Sequence, residues 1–269
     1  MSAIRIEEHV AVHQVGVRTL HVDIFQPAKL AGPVPGLLFL PGGGWRTADR
    51  APLKERYGIR LAERGYVCVA GEYRVMEEAP WPAPIQDVKA LIRWMRASHA
   101  RLGLDPAALA IGGKSAGGHL ALLAAGSQGV AAFDDASDHA EVSSAVAAVV
   151  GIAPVSDLSA WAYQPRMEPL FGAHPTPEVV QAASPITYAS SAYPPTLLMH
   201  GTADETVPHA MTRRMYEALE QAGVPVDLHL YAGQDHFFDR DPLCSEAVAN
   251  AIAFFMARYV QVQAATAAD

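Results

Sequence analysis

Apolar residues recur along this chain in two rhythms. Residues 17–25 alternate apolar and polar side chains, the period of a strand with one face toward water. Residues 36–40 and 66–70 are short unbroken apolar runs and predict strands buried on both faces. Between them, residues 53–64 read as a helix. Residues 83–102 predict a longer amphipathic helix, because Ile85, Val88, Leu91, Ile92 and Met95 fall three or four apart. The same alternation continues to the end. Strands are expected at 107–111, 145–152, 195–200 and 226–231, and helices at 120–125, 211–222 and 245–259. Strands alternating with helices predict an α/β fold, a mainly parallel sheet covered on both faces. In such sheets functional groups gather at the carboxyl ends of the strands.

Two stretches interrupt the rhythm. Residues 133–141 are acidic but lack the ligand spacing and the glycine of a calcium loop, so a solvated loop is expected and no metal. Residues 155–190 carry Trp161, Tyr163, Met167, Phe171 and several prolines. They read as an irregular insertion over the carboxyl edge of the sheet, either a lid or substrate wall or a packed connector. Residues 261–269 are expected to fray, and no internal repeat occurs.

A chain of 269 residues, 51% of them hydrophobic, suits one large α/β domain over 1–269. Net charge is −8 without a basic cluster, which argues against nucleic acid or anionic membrane as partners. The first residues lack a basic start and an apolar core, so no signal peptide is expected. No run approaches the roughly 20 apolar residues of a membrane span. Cys68 and Cys244 form no disulfide framework, and Cys68 reads as a small core residue. Together these points favour a cytoplasmic location.

The chemistry concentrates at residues 112–119, Gly-Gly-Lys-Ser-Ala-Gly-Gly-His. Ser115 is the centre of a Gly-x-Ser-x-Gly between a strand and a helix. There a serine can sit on a sharp turn with its hydroxyl presented, provided Gly113 and Gly117 let strand and helix approach. Gly113-Lys114-Ser115 also resembles the end of a phosphate-binding loop, but the glycine required five residues earlier is Ala108, which removes that reading. Lys114 is then expected to be solvated or paired with an acidic neighbour. Asp204 follows the strand at 195–200 and can hold an imidazole in one tautomer; Glu205 is the adjacent alternative. His236 follows the last strand and can move a proton near neutral pH. Asp235 beside it reads as a loop-structuring carboxylate. The order Ser, Asp, His is that of an α/β-hydrolase. Gly42-Gly-Gly44 follows the strand at 36–40, where bare N–H groups, with that of Ala116, can form an oxyanion hole.

With these residues placed, the chain resembles the α/β-hydrolase superfamily, in its esterase/lipase branch of hormone-sensitive-lipase-like and acetyl-xylan or feruloyl esterase-like proteins. The likeness runs from about Asp23 to Tyr259. It includes Glu72-Tyr-Arg74, residues 81–88, 184–187, and the segment from His200 to Pro208. It implies a sheet of about eight strands and no cofactor. It implies Ser115 as nucleophile, His236 as base, Asp204 as acid, and Gly43, Gly44 and Ala116 as oxyanion donors. Trp45, Trp161 and Phe237 are candidate substrate contacts. One departure stands out: the histidine that usually precedes the three glycines is Pro41, which cannot brace the loop by donating a hydrogen bond. Trp45 is then an alternative donor to the oxyanion. The expected activity is serine-dependent hydrolysis of small or short-acyl carboxylic esters through an acyl-enzyme, by a monomer or homodimer. An amidase, arylformamidase or small serine peptidase is the alternative. A non-catalytic binding protein would be expected to lack one of the three catalytic types, and none is missing.

Overall fold

The unbroken apolar runs become the centre of a single sheet in the computed structural model, which describes residues 3–134 and 139–262. Eight strands are ordered β1-β2-β4-β3-β5-β6-β7-β8. They are β1 (Ile4–Val15), β2 (Arg18–Pro27), β3 (Val34–Leu40), β4 (Val67–Gly71), β5 (Leu104–Lys114), β6 (Ala148–Ile152), β7 (Thr196–Gly201) and β8 (Val226–Tyr231). β1 and β2 pair antiparallel, as do β2 and β4, and every other pairing is parallel.

Side chains of the central strands alternate between two cores. Leu38 and Leu40 of β3 face one, with Ile85, Val88 and Leu91 of the Ala83–Ala97 helix, Leu120 and Leu123 of the Ala116–Gly126 helix, and Met215 of the His209–Gln221 helix. Leu37 and Phe39 face the other, with Tyr57, Leu61, Val248 and Ile252. This second layer comes from the helical stretch 51–63 and from the Pro242–Tyr259 helix. Asp241 caps that last helix by accepting from the N–H groups of Leu243 and Cys244 at 2.8 and 3.2 Å, with Pro242 pre-set for the first turn. The chain after β3 crosses to one face and the chain after β5 to the other. The two strands are neighbours, so their carboxyl ends open a crevice between diverging connections.

Several boundaries differ from the sequence reading. β1 was not expected at all. Its pairing is interrupted by irregularities between Glu7 and Val10 and between Ala11 and His13, which break the alternation that marks a strand. The helix expected over 83–102 stops at Ala97, and a separate turn, His99–Leu102, follows before Gly103 in the left-handed region. The helical stretch 51–63 contains a π-helical turn, Lys54–Gly58. The strand expected from residue 145 starts at Ala148. Of the acidic loop, residues 135–138 lie outside the described residues, as do 263–269 of the tail. Asp134 is not simply solvated: its carboxylate pairs with buried Lys89 at 3.3 Å and Arg93 at 3.1 Å. Residues 155–190 hold only short helical pieces, including Glu168–Phe171 and Pro177–Ala182. No helix among the described residues is long and apolar enough to cross a membrane.

Candidate active site

Ser115 is the first residue after β5, and its backbone sits at φ 54°, ψ −119°. That left-handed conformation is unfavourable for a residue with a side chain and is held by its surroundings. The Ser115 N–H donates to the Ile152 carbonyl at 2.9 Å, and its carbonyl accepts from the His119 N–H at 2.8 Å. The tightness of the turn explains the flanking glycines. A Cβ on Gly113 would lie 2.3 Å from the Gly117 carbonyl oxygen. One on Gly117 would lie 2.4 Å from the Pro41 oxygen and 2.5 Å from the Leu40 oxygen. Gly117 thus sets the distance between the serine turn and the glycine loop.

That loop, Pro41 to Trp45, follows β3 and lies across Ser115: a Cβ on Gly42 would be 3.3 Å from the serine Cβ. Gly43 adopts φ 138° and Gly44 φ 60°. Three anchors hold the loop where Pro41 stands in place of a histidine. The Tyr73 hydroxyl donates to the Pro41 carbonyl at 3.0 Å. The Gly43 carbonyl accepts from the N–H groups of Arg46 and Thr47 at 3.0 and 3.3 Å. The Trp45 indole N–H donates to His119 Nδ1 at 3.2 Å. His119 in turn donates from Nε2 to the Ala183 carbonyl at 2.7 Å, which fixes its tautomer. Complete burial pulls this imidazole down to about 4, so it stays neutral. It joins the glycine loop, the helix behind the serine, and the segment 155–190.

Asp204 and His236 come from the loops after β7 and β8. His236 Nδ1 lies 2.6 Å from Asp204 Oδ2. Asp204 Oδ1 accepts from the N–H groups of Thr206 and Val207, both at 2.8 Å. A second imidazole, fully buried His200, contacts Asp204 Oδ2 through Nε2 at 2.9 Å while its Nδ1 accepts from the Thr212 hydroxyl at 2.7 Å. Burial alone would raise the Asp204 carboxyl, but hydrogen bonds from His200, His236 and the Val207 N–H outweigh it. They hold the group well below the usual carboxylate range. Glu205, by contrast, is exposed. With Nδ1–H committed to an ionised Asp204, His236 keeps a lone pair on Nε2 for a proton.

A cavity of about 520 Å³ brings these groups together: Ser115, His236, Gly43 and Gly44 all line it. Trp45, Trp161 and Phe237 line it too, although Trp45 is almost wholly buried at 2% exposure whereas Phe237 is 42% exposed. Ala116 is fully buried immediately behind Ser115. The Ser115 hydroxyl makes no hydrogen bond to another described residue. Asp235 is exposed, and its carboxylate accepts from the Phe237 N–H at 2.8 Å, which shapes the His236 loop.

Lys114 is buried rather than solvated, and it ion-pairs with an acidic neighbour in space, Asp239, on the short turn beyond His236. Burial draws its ammonium down to about 7, with Arg56 and Arg240 adding to the effect while Asp204 and Asp235 oppose it. The fully buried Asp239 also accepts from the Tyr57 hydroxyl at 2.7 Å and from Arg56 at 3.3 Å. His119, His200, Tyr73 and Asp239 were not singled out by sequence reasoning. For His119 a signal existed: it stands four residues after Ser115, one helical turn along the same face.

Comparison with known proteins agrees with this architecture. Residues 22–219 match the BD-FAE family. The esterase LipQ of Mycobacterium tuberculosis is 34% identical over 251 residues, covering 87% of this chain and 59% of its own length. The chain thus spans under two thirds of that relative. Esterase 2 of Thermogutta terrifontis superposes with a TM-score of 0.82 at 28% identity, covering 96% of this chain and 94% of that one. Its butyrate-bound form gives 0.82 at 27%, with the same coverage of 96% and 94%.

Proposed function

This chain belongs to the BD-FAE family, in the esterase/lipase branch of the α/β-hydrolases, and on that premise we propose that it is a serine-dependent carboxylester hydrolase. The observation that carries the reading is the cavity that Ser115, strained at positive φ, lines together with the glycine loop and a histidine whose Nδ1 lies 2.6 Å from a buried carboxylate. Ser115 Oγ attacks the ester carbonyl carbon while His236 Nε2 takes its proton. N–H groups of Gly43, Gly44 and Ala116 hold the negative charge on the former carbonyl oxygen. The imidazolium, steadied by Asp204, gives its proton to the departing alkoxide. Water then attacks the acyl-enzyme through the same base and frees the acid. Catalytic hydrogen bonds commonly tighten only when substrate is bound, consistent with an unpaired Ser115 hydroxyl.

Residues 155–190 act as a substrate wall in this reading, since Val155, Trp161, Arg166 and Met167 line the cavity. A cavity of about 520 Å³ suits small or short-acyl esters, and the butyrate-bound form of the Thermogutta terrifontis esterase supports that size class. The names of the relatives favour ester over amide bonds. Turnover of short p-nitrophenyl esters by wild type, lost in Ser115→Ala, is the expected result. Turnover that survives the substitution, or none on any ester, would sink the reading.

A further inference from the structure

The charge lining the cavity runs against the charge of the chain. The protein has 20 Lys and Arg against 28 Asp and Glu. Yet Arg46, Arg56, Lys114, Arg166 and Arg240 all line the cavity, with Asp49 the lone carboxylate residue among its described lining. Some of these cations are already answered. Arg46 pairs with Glu77 at 2.9 Å, and Arg56 shares the single buried Asp239 with Lys114. Asp49 is partly occupied by its own turn, accepting from the Ala51 N–H at 3.0 Å.

Arg166 and Arg240 are different. Both are exposed, and neither has a carboxylate partner among the described residues. Each is nonetheless held in place by an aromatic plate. The Arg240 guanidinium lies 4.0 Å from the centre of the Phe237 ring, and that of Arg166 lies 5.0 Å from the Trp161 ring. Lys114 approaches the same Phe237 ring at 5.4 Å. A cation–π contact uses none of the guanidinium N–H donors in a hydrogen bond to oxygen, and they keep the fork that matches a carboxylate. An exposed arginine on a solubilising surface is ordinarily free to wander. Here each lies against an aromatic ring that lines the same cavity, Phe237 being the residue after His236, and the concave site's low-dielectric sides strengthen their field.

We infer that the preferred substrate is an ester bearing a free carboxylate away from the scissile bond, bound by Arg240 and Arg166. This inference rests on the ester-hydrolase reading and narrows it. Neutral esters of the same size are taken less well because they leave both guanidiniums without a partner. The contacts are charge-assisted and partly shielded, so a preference of about tenfold in kcat/KM is expected.

The test uses matched pairs. Monoethyl glutarate against ethyl pentanoate places the charge on the acyl side. 4-Acetoxybutanoate against pentyl acetate places it on the alcohol side. Rates are read by pH-stat at pH 7.5 in low and high salt. Wild type is expected to prefer the charged member of at least one pair by about tenfold, with the ratio shrinking as salt screens the field. In the double variant Arg166→Gln/Arg240→Gln that ratio falls toward one. Arg5→Gln, on an exposed side chain of β1, keeps the wild-type ratio. Ser115-dependent turnover with no charged preference in either pair, or a preference that survives the double variant, overturns this inference alone. Absence of turnover for all four esters overturns the hydrolase reading and the inference together.

Discussion

Replacing His119 by leucine removes one buried side chain that ties three parts of the site. The leucine is of similar bulk, so the principal loss is polar. The Trp45 indole N–H loses its acceptor at 3.2 Å and the Ala183 carbonyl its donor at 2.7 Å, both in a fully buried setting. An unsatisfied buried polar group costs about 1–3 kcal/mol, so two predict a loss of about 2–6 kcal/mol at pH 7. The pH dependence adds a second signature. The folded protein keeps this imidazole neutral down to about 4, while the unfolded chain protonates it near 6.5. The unfolded state therefore binds more protons in that window, and wild-type stability falls as the pH drops through it. At about 1.36 kcal/mol per pH unit, the wild type loses about 2 kcal/mol through this group between pH 7 and 5. The leucine variant has no such group, so its deficit narrows by that amount at pH 5. Urea unfolding of both proteins at the two pH values measures this. A deficit under about 1 kcal/mol at pH 7, or one that does not narrow on acidification, would refute the reasoning. Because Trp45 also anchors the glycine loop, kcat should fall with the stability.

Three further outcomes follow from the geometry. Gly117→Ala puts a methyl 2.4 and 2.5 Å from two backbone oxygens, which cannot rotate away. Ester turnover should fall at least about tenfold as the glycine loop shifts from Ser115, a 1.4 kcal/mol change in barrier, and wild-type kcat/KM in this variant would count against the close approach. Asp239→Asn leaves Lys114 and Arg56 without their shared carboxylate and should cost about 3–5 kcal/mol in urea unfolding. Lys114→Met should cost less, because Arg56 still answers Asp239. Asp204→Asn should lower kcat by about a thousandfold or more, with KM little changed. Because Asp204 titrates below its ordinary range when folded, its stabilising share is present above about pH 4 and lost on further acidification. Parallel acid-unfolding curves for wild type and Asp204→Asn below pH 4 would contradict that.

The sheet was legible because its central strands are buried on both faces and so appear as unbroken apolar runs. β1 was not, because its irregular pairing scrambles the alternation and places Glu7, Glu8 and His9 consecutively. Ser115, Asp204 and His236 were readable as candidates from their places just beyond strands, and the proximity of His236 to Asp204 and of both Ser115 and His236 to one cavity is what the fold adds. What a sequence conceals is partnership over distance. Lys114 meets Asp239, 125 residues away, and nothing local to either predicts it. The cationic lining is likewise assembled from positions 46, 56, 114, 166 and 240, each unremarkable in its own segment. The bracing of the Pro41 loop was hidden for the same reason. Tyr73 and His119 come from other elements and replace what a local histidine would supply.

The central claim is that Ser115 is the nucleophile. Intact-mass and peptide mass spectrometry after exposure to a fluorophosphonate tests it most directly. A single adduct on the peptide carrying Ser115, absent in Ser115→Ala and formed far more slowly in His236→Ala, is the predicted result. An adduct elsewhere, or no adduct on a protein that still hydrolyses esters, would contradict it.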